Sequence, residues 1–316
     1  HDRITHELPI HPFCLGEVEE YLVSQGFRWN RLMMLQTYMI FGGIPYYLKL
    51  MNPAESLVQN VDRMFFSTDS HMRREYKRLF STLYKNPAGY LRIVEALAAS
   101  RCGMTRNEIA ETLKIPNNGH LGDKLDDLVE CELIRRMAVR EKKIKKTDAI
   151  YTLSDFFCIF YLTFVARAQI EQEYWSHHIN TSEVNTWLGL AYERVCTAHI
   201  PQIKHALRVD GISTLHYSWR AKKATDIHDR SAQIDIVIER ADSIVNLCEV
   251  KYSSDLYTLD KEEFLKLENR EKKFITETQI RHAPQLVLIS TYGVNNSQYI
   301  KPGTRTLTMD ELFNIL

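Results

Sequence analysis

Residues 233 to 253, QIDIVIERADSIVNLCEVKYS, read as a β-hairpin, and a hairpin dictates which of its side chains can meet. Side chains alternate along a strand, so Glu249 and Lys251 share one face while Val250 points to the other. Asp235 on the first strand is expected beside them, with Ala241 to Ser243 as the short turn that sets the register. Two carboxylates and an ammonium then converge at one end of a small sheet. Leu247, Cys248 and Val250 surround them, and charge in such company needs a partner or a metal.

The residue types suit a particular chemistry. Asp235 and Glu249 are hard oxygen donors of the kind Mg²⁺ or Mn²⁺ prefers. Such ions keep several waters, one of which can become a nucleophile, and Lys251 is placed to orient it or to stabilise charge developing on a phosphate. Upstream, SEVNTWLGLAYERVCTAHI carries Val184, Leu188, Ala191, Val195 and Ala198 at spacings of three and four, which predicts an amphipathic helix with Ser182 as its N-cap. Glu193 lies on it amid apolar neighbours and is expected as an accessory acid, joining the metal shell or hydrogen-bonding a metal-bound water. The bland counterpart is a solvated salt-bridge cluster, since an acid followed by ExK arises by chance in many surface hairpins.

The predicted order is a helix with Glu193, strands at Thr214 to Arg220, Gln233 to Arg240 and Ile244 to Ser253, a helix at Lys261 to Thr278, and a strand at Gln285 to Ser290. With Asp235 and the ExK at 249 to 251, this order resembles the PD-(D/E)XK nuclease superfamily over residues 180 to 316. The resemblance implies an α/β core with a central mixed sheet, and a site in which Asp235, Glu249 and Glu193 hold Mg²⁺ or Mn²⁺ beside Lys251. Ile234 stands where the family's proline often precedes the aspartate.

The chain begins at His1 inside a strand-like piece, THELPIHPF, and is read as a fragment. Residues 17 to 50 form two helical stretches punctuated by Gly42, Gly43 and Pro45. The GGIPYYL turn after a helix, together with RITHELPIHPFCLGEVEEYL, resembles the end of the nucleotide-binding core and the lid of the archaeal-type ATPases. That resemblance implies a lid, a winged helix and a nuclease-like C-terminal domain. No GxxxxGK[ST] occurs, so the phosphate cradle is missing and ATP is expected only through a P-loop domain preceding this chain. Locally, the glycines and proline need mean no more than a helix stop and turn.

The middle supports the same organisation. Asn86 to Ala99 is helical by period, TRNEIAETLK at 105 to 114 opens with a Thr-x-x-Glu capping box, and Asn117 to Leu133 follows Pro116 as a third helix. LIRRMAV, the basic turn REKKIKK at 140 to 146 and AIYTL complete a winged helix-turn-helix. The third helix carries Asp123, Asp126, Asp127, Glu130 and Glu132 against Lys124, and such acids repel phosphates. Any backbone grip is therefore expected from the wing, at Arg140, Lys142, Lys143, Lys145 and Lys146, unless that run is a solvated tip. Aromatics at 156, 157, 160, 161 and 164 repeat at helical spacing, so FFCIFYLTFVA reads as a buried connecting helix, with 172 to 180 as a loop.

Composition narrows the remaining classes. Lys plus Arg and Asp plus Glu both number 40, so no global basic field announces nucleic acid and binding must rest on local patches. Six dispersed cysteines without a CxxC pair suggest reduced thiols and a cytoplasmic protein; no apolar run reaches the length of a membrane span. The histidines, His177 and His178 included, lack ligand spacing.

The expectation is an α+β, multi-domain chain: a helical ATPase-lid-like region at 1–85, a winged helix at 86–155, a connecting helix and linker at 156–180, and a PD-(D/E)XK-like domain at 181–316. Its expected partners are nucleic acid, DNA ahead of RNA, and an N-terminal ATPase core, with no membrane. Metal-dependent phosphodiester cleavage is the leading function, and a non-catalytic nucleic-acid- or protein-binding arm of an ATPase is the alternative.

Overall fold

The computed structural model describes residues 10–100, 103–137, 149–168, 171, 173–221, 233–295 and 298–316. It is a mixed α/β structure. Helices α1 (Leu15–Ser24), α2 (Arg31–Phe41), α3 (Pro45–Lys49), α4 (Leu57–Val61) and α5 (His71–Leu83) come first, with a π turn at Asp62–Phe66. Helix α2 starts where the Asn30 side chain accepts from Met33 N and stops at Gly42, whose φ of 66° suits a residue without a Cβ. The next glycine does more than end a helix. A Cβ on Gly43 would lie 1.9 Å from the Phe13 carbonyl oxygen, so this bend requires close backbone contact.

Helix α6 (Ala88–Ala99), β1 (Met104–Thr105), α7 (Arg106–Leu113), α8 (Gly119–Glu130), β2 (Ile134–Met137) and β3 (Ile150–Leu153) follow, with the strands in the antiparallel order β1-β3-β2. Thr105 and Glu108 form the capping box read from their spacing. Helix α8 is shorter than 117 to 133, because Asn118 caps it and Cys131 ends it. Two of its acids have internal work: Asp126 binds Arg136 at 3.0 Å and Asp127 accepts from the Tyr90 hydroxyl at 2.6 Å. The basic run expected as a wing, with Arg140, Lys142, Lys143, Lys145 and Lys146, lies outside the described residues.

The aromatic run forms α9 (Phe156–Phe160), capped by the Asp155 side chain accepting from Cys158 N, and continues as a π turn at Tyr161–Val165. All of α9 is buried. The expected loop at 172 to 180 instead contains a helix, α10 (Tyr174–His178). Its first turn is held by the Asp62 carboxylate, which accepts from Trp175 N at 2.7 Å and Ser176 N at 3.1 Å. That partner lies over a hundred residues away and has no local signature.

Then come α11 (Ser182–Ala198), α12 (Ile200–Leu207), β4 (Thr214–Arg220), β5 (Gln233–Arg240), β6 (Ile244–Lys251), α13 (Lys261–Thr278), β7 (Ala283–Ser290) and β8 (Arg305–Leu307), with a closing 3₁₀ turn at Met309–Phe313. Thr181, not Ser182, caps α11 by accepting from Val184 N. The sheet order is β4-β5-β6-β7-β8, antiparallel through β6 and parallel beyond it. One face, with Ile236, Ile238, Cys248 and Val250, joins a core that includes α11 and runs from Leu15 to Phe313. The other face packs Val237, Val245 and Leu247 against Phe274 of α13.

Cys158, Cys196 and Cys248 are buried thiols, whereas Cys131 is exposed. Among the described residues, no helix is long and apolar enough to cross a membrane.

Candidate functional site

The hairpin β5–β6 turns at residues 241 to 243, with Ser243 at φ 65°. Ile236 pairs with Cys248, so the ladder carries Asp235 to the level of Glu249. Simple alternation would then set both acids on one face. A bulge changes this. Tyr217 pairs with Val237 and Trp219 with Ile234, leaving Ser218 alone opposite both Asp235 and Ile236. Ile234 and Val237 consequently pack on the α13 side, while Ile236 packs on the α11 side.

Asp235 is aimed by this bulge. It lines a cleft of about 550 Å³ together with Glu193 of α11. Its Oδ2 accepts from Val250 N at 3.0 Å, standing in for a backbone carbonyl where the two strands part. Burial, followed by the charges of Glu249 and Glu193, pushes the Asp235 carboxyl well above the ordinary carboxylate range. Glu193 is pushed up to about 7, again by burial first and by Glu249 second.

Glu249 and Lys251 keep their alternation and turn toward α13. Arg270 Nη1 donates to both Glu249 oxygens, at 2.8 and 2.7 Å, and Lys251 Nζ lies 2.8 Å from Oε1. Lys251 also donates to Glu263 Oε1 at 2.8 Å. The Glu249 side chain is 6% exposed, so these cations are what keeps its charge tolerable inside. Burial disfavours the Lys251 ammonium, yet Glu249 and Glu263 outweigh it and hold its pKa above the ordinary lysine range. Burial alone would raise Glu263, but Lys251 prevails and lowers it. Glu249 and Arg270 line a separate cavity of about 380 Å³ between α13 and the sheet.

Glu193 and Asp235 are thus brought to one cleft, and Glu249 and Lys251 to a cation-rich cluster across the sheet. The acids remain within electrostatic reach of one another. Glu193 and Asp235 have the donor chemistry for Mg²⁺ or Mn²⁺, but the third expected ligand is closed by Arg270 and Lys251. Among the described residues, no group of three His, Cys, Asp or Glu side chains is arranged to hold a metal ion. The arrangement therefore does not fit one ion shared by all three acids.

Arg270 and Glu263 were not singled out from the sequence, although a signal exists. Glu263, Leu267, Arg270 and Phe274 follow at four, three and four residues, one stripe of α13. Leu267 and Phe274 are its buried members, so two charged residues on the same stripe imply a charged partner in the sheet.

No protein-family model matches the chain. Over 195 residues it is 26% identical to the uncharacterized protein MJECL04 of Methanocaldococcus jannaschii, an alignment covering 61% of this chain and 42% of that relative. The chain spans less than half the length of the relative it matches.

Proposed function

We propose that the chain is the C-terminal part of an archaeal-type ATPase-related protein, in which a winged helix leads into a PD-(D/E)XK-like domain that engages nucleic acid without cleaving it in the arrangement described. The observation that carries this reading is the closed Glu249. Its two oxygens are held by Arg270, and Lys251, the residue read as orienting water, is spent on Glu249 and Glu263. A divalent cation would supply water activation and charge neutralisation at such a site. This chain's own residues do other work: Arg270 and Lys251 neutralise the buried carboxylate, and Asp235 seals the end of the hairpin ladder.

Metal-dependent cleavage is the second reading, favoured by the pairing of Glu193 and Asp235 in one cleft with both carboxyls pushed up. Burial and their mutual repulsion outweigh the positive charges of Arg194 and Lys251 nearby. A labelled oligodeoxynucleotide incubated with the chain and Mn²⁺ separates the two. Retention of the probe at full length supports the first reading. Cleavage that disappears in Lys251→Ala with the fold intact establishes the second.

A further inference from the structure

The cleft that holds Glu193 and Asp235 extends well beyond them. Its walls come from β2 and β3 of the 86–155 unit, from α9 and the turn after it, and from α11 with the ends of β4 and β5. Three arginines line it: Arg135 on β2, Arg167 after the π turn, and Arg194 on α11. Strand β2 explains the first of these. Arg136 faces solvent and binds Asp126, so its neighbour Arg135 points the other way, into the protein.

Arg135 and Arg194 are both half-buried in the wall of the cleft, and partial burial lowers the pKa of each. Among the described residues, neither guanidinium has a hydrogen-bond or ion-pair partner, although Glu132 and Glu193 act on them at longer range. A guanidinium does not shed its proton in such a position, so each keeps its charge at the cleft wall with donors that no protein group takes up. Planar guanidinium donors match phosphate oxygens. Phe156 and Trp187 back the same walls from the core, where Phe156 packs on Tyr38 and Trp187 on Phe160, Phe164 and Trp175.

We infer that this cleft is a binding site for the phosphodiester backbone of single-stranded nucleic acid, with Arg135 and Arg194 as its phosphate contacts. The inference rests on the nucleic-acid reading above and names the form of nucleic acid. A volume of about 550 Å³ lies in the range of ligand pockets, roughly 300 to 1,000 Å³, which suits a short stretch of one strand and is too small to enclose a duplex. A groove lined by arginines that follows the backbone holds a single strand with little sequence preference. Glu183, Glu193 and Asp235 line the same cleft, and each repels phosphate when ionised, which favours a backbone path along the arginine-bearing walls.

The test is fluorescence anisotropy with a short single-stranded oligodeoxynucleotide, using duplex DNA and inorganic pyrophosphate as competitors. The parent chain should bind the single strand, with the duplex competing poorly and pyrophosphate weakly. Arg135→Gln with Arg194→Gln should weaken binding at least about tenfold and make the slope of log K against log salt shallower by about 0.7 for each arginine replaced. Arg136→Gln, on the solvent face, should change neither. Hydrogen exchange on the unmodified chain gives a readout that needs no variant: the oligonucleotide should slow exchange in β2 and in α11.

Equal affinity and slope in the double variant, or no protection of β2 and α11, overturns the cleft while leaving nucleic-acid binding elsewhere on the chain. A parent chain that binds no nucleic acid overturns the functional reading as well. Saturable pyrophosphate binding that the oligonucleotide cannot displace would make this a site for a small free anion, which also overturns the inference.

Discussion

Arg270 holds Glu249 through a single nitrogen, Nη1, which lies 2.8 Å from one carboxylate oxygen and 2.7 Å from the other. The pair links the middle of α13 to the end of the β5–β6 hairpin, and Lys251 closes the same carboxylate from its own strand. A buried carboxylate with two cations is stable where it stands, but removing one cation exposes how much the other can carry.

Arg270→Gln should therefore destabilise the fold by about 2 kcal/mol, below the cost of breaking a fully buried pair because Lys251 remains. Urea denaturation near neutral pH measures it. A change below about 0.5 kcal/mol would mean that Lys251 alone satisfies Glu249.

Glu193 predicts a stability that falls on the alkaline side. Its carboxyl is raised to about 7 in the folded chain from an unfolded value near 4.5, so the folded state binds the proton more tightly. Stability is full below the unfolded value and declines as pH rises through 7, by on the order of 1 to 3 kcal/mol. Glu193→Gln should flatten this decline. Asp235→Asn should likewise raise the melting temperature at neutral pH, because the amide oxygen can still accept from Val250 N while the repulsion with Glu249 and Glu193 is gone. A lower melting temperature for Asp235→Asn at neutral pH would contradict the repulsion.

His199 acts on the acid side. Its Nδ1 bonds the Val195 carbonyl at 2.8 Å and its Nε2 accepts from Leu15 N at 2.9 Å, so both nitrogens are used by the neutral ring. Burial lowers its pKa to about 4. The neutral ring contributes fully above the unfolded value near 6.5, and that contribution is lost as pH falls toward 4, on the order of 3 kcal/mol. His199→Gln should remove this pH dependence between 6.5 and 4, whatever its effect on absolute stability. Persistence of the acid limb in that variant would place the proton elsewhere.

The basic run proposed as a wing offers a test independent of the site. Replacing Lys142, Lys143, Lys145 and Lys146 with Ala should leave the melting temperature unchanged, and should reduce the salt dependence of nucleic-acid binding by about 0.7 to 0.9 in slope for each phosphate that the wing no longer neutralises. An unchanged slope would mean a solvated tip.

The strand order around Asp235 and Glu249 was legible because period-two alternation and a three-residue turn are local signals, as is the Thr105 to Glu108 capping box. The bulge was not. It depends on Ser218 in β4 meeting two residues of β5, a pairing that no alternation pattern displays, and it decides that Asp235 joins Glu193 while Glu249 turns to α13. Arg270 escaped for a related reason: it meets Glu249 across 21 positions of sequence, and the stripe it shares with Leu267 and Phe274 acquires meaning only once α13 lies on the sheet. Thr181 and Ser182 are equally good caps by composition, so the backbone alone chose between them.

The closed carboxylate is the centre of this account, and Mn²⁺ calorimetry on the parent chain and on Arg270→Gln tests it most directly. The parent should give no saturable binding, since Arg270 and Lys251 already occupy Glu249. Arg270→Gln should open one site at Glu249 and Glu263, on the α13 side of the sheet, that Glu263→Gln, added to it, removes again. Stoichiometric Mn²⁺ binding by the parent, unchanged in Arg270→Gln, would contradict the account and favour a metal-dependent nuclease.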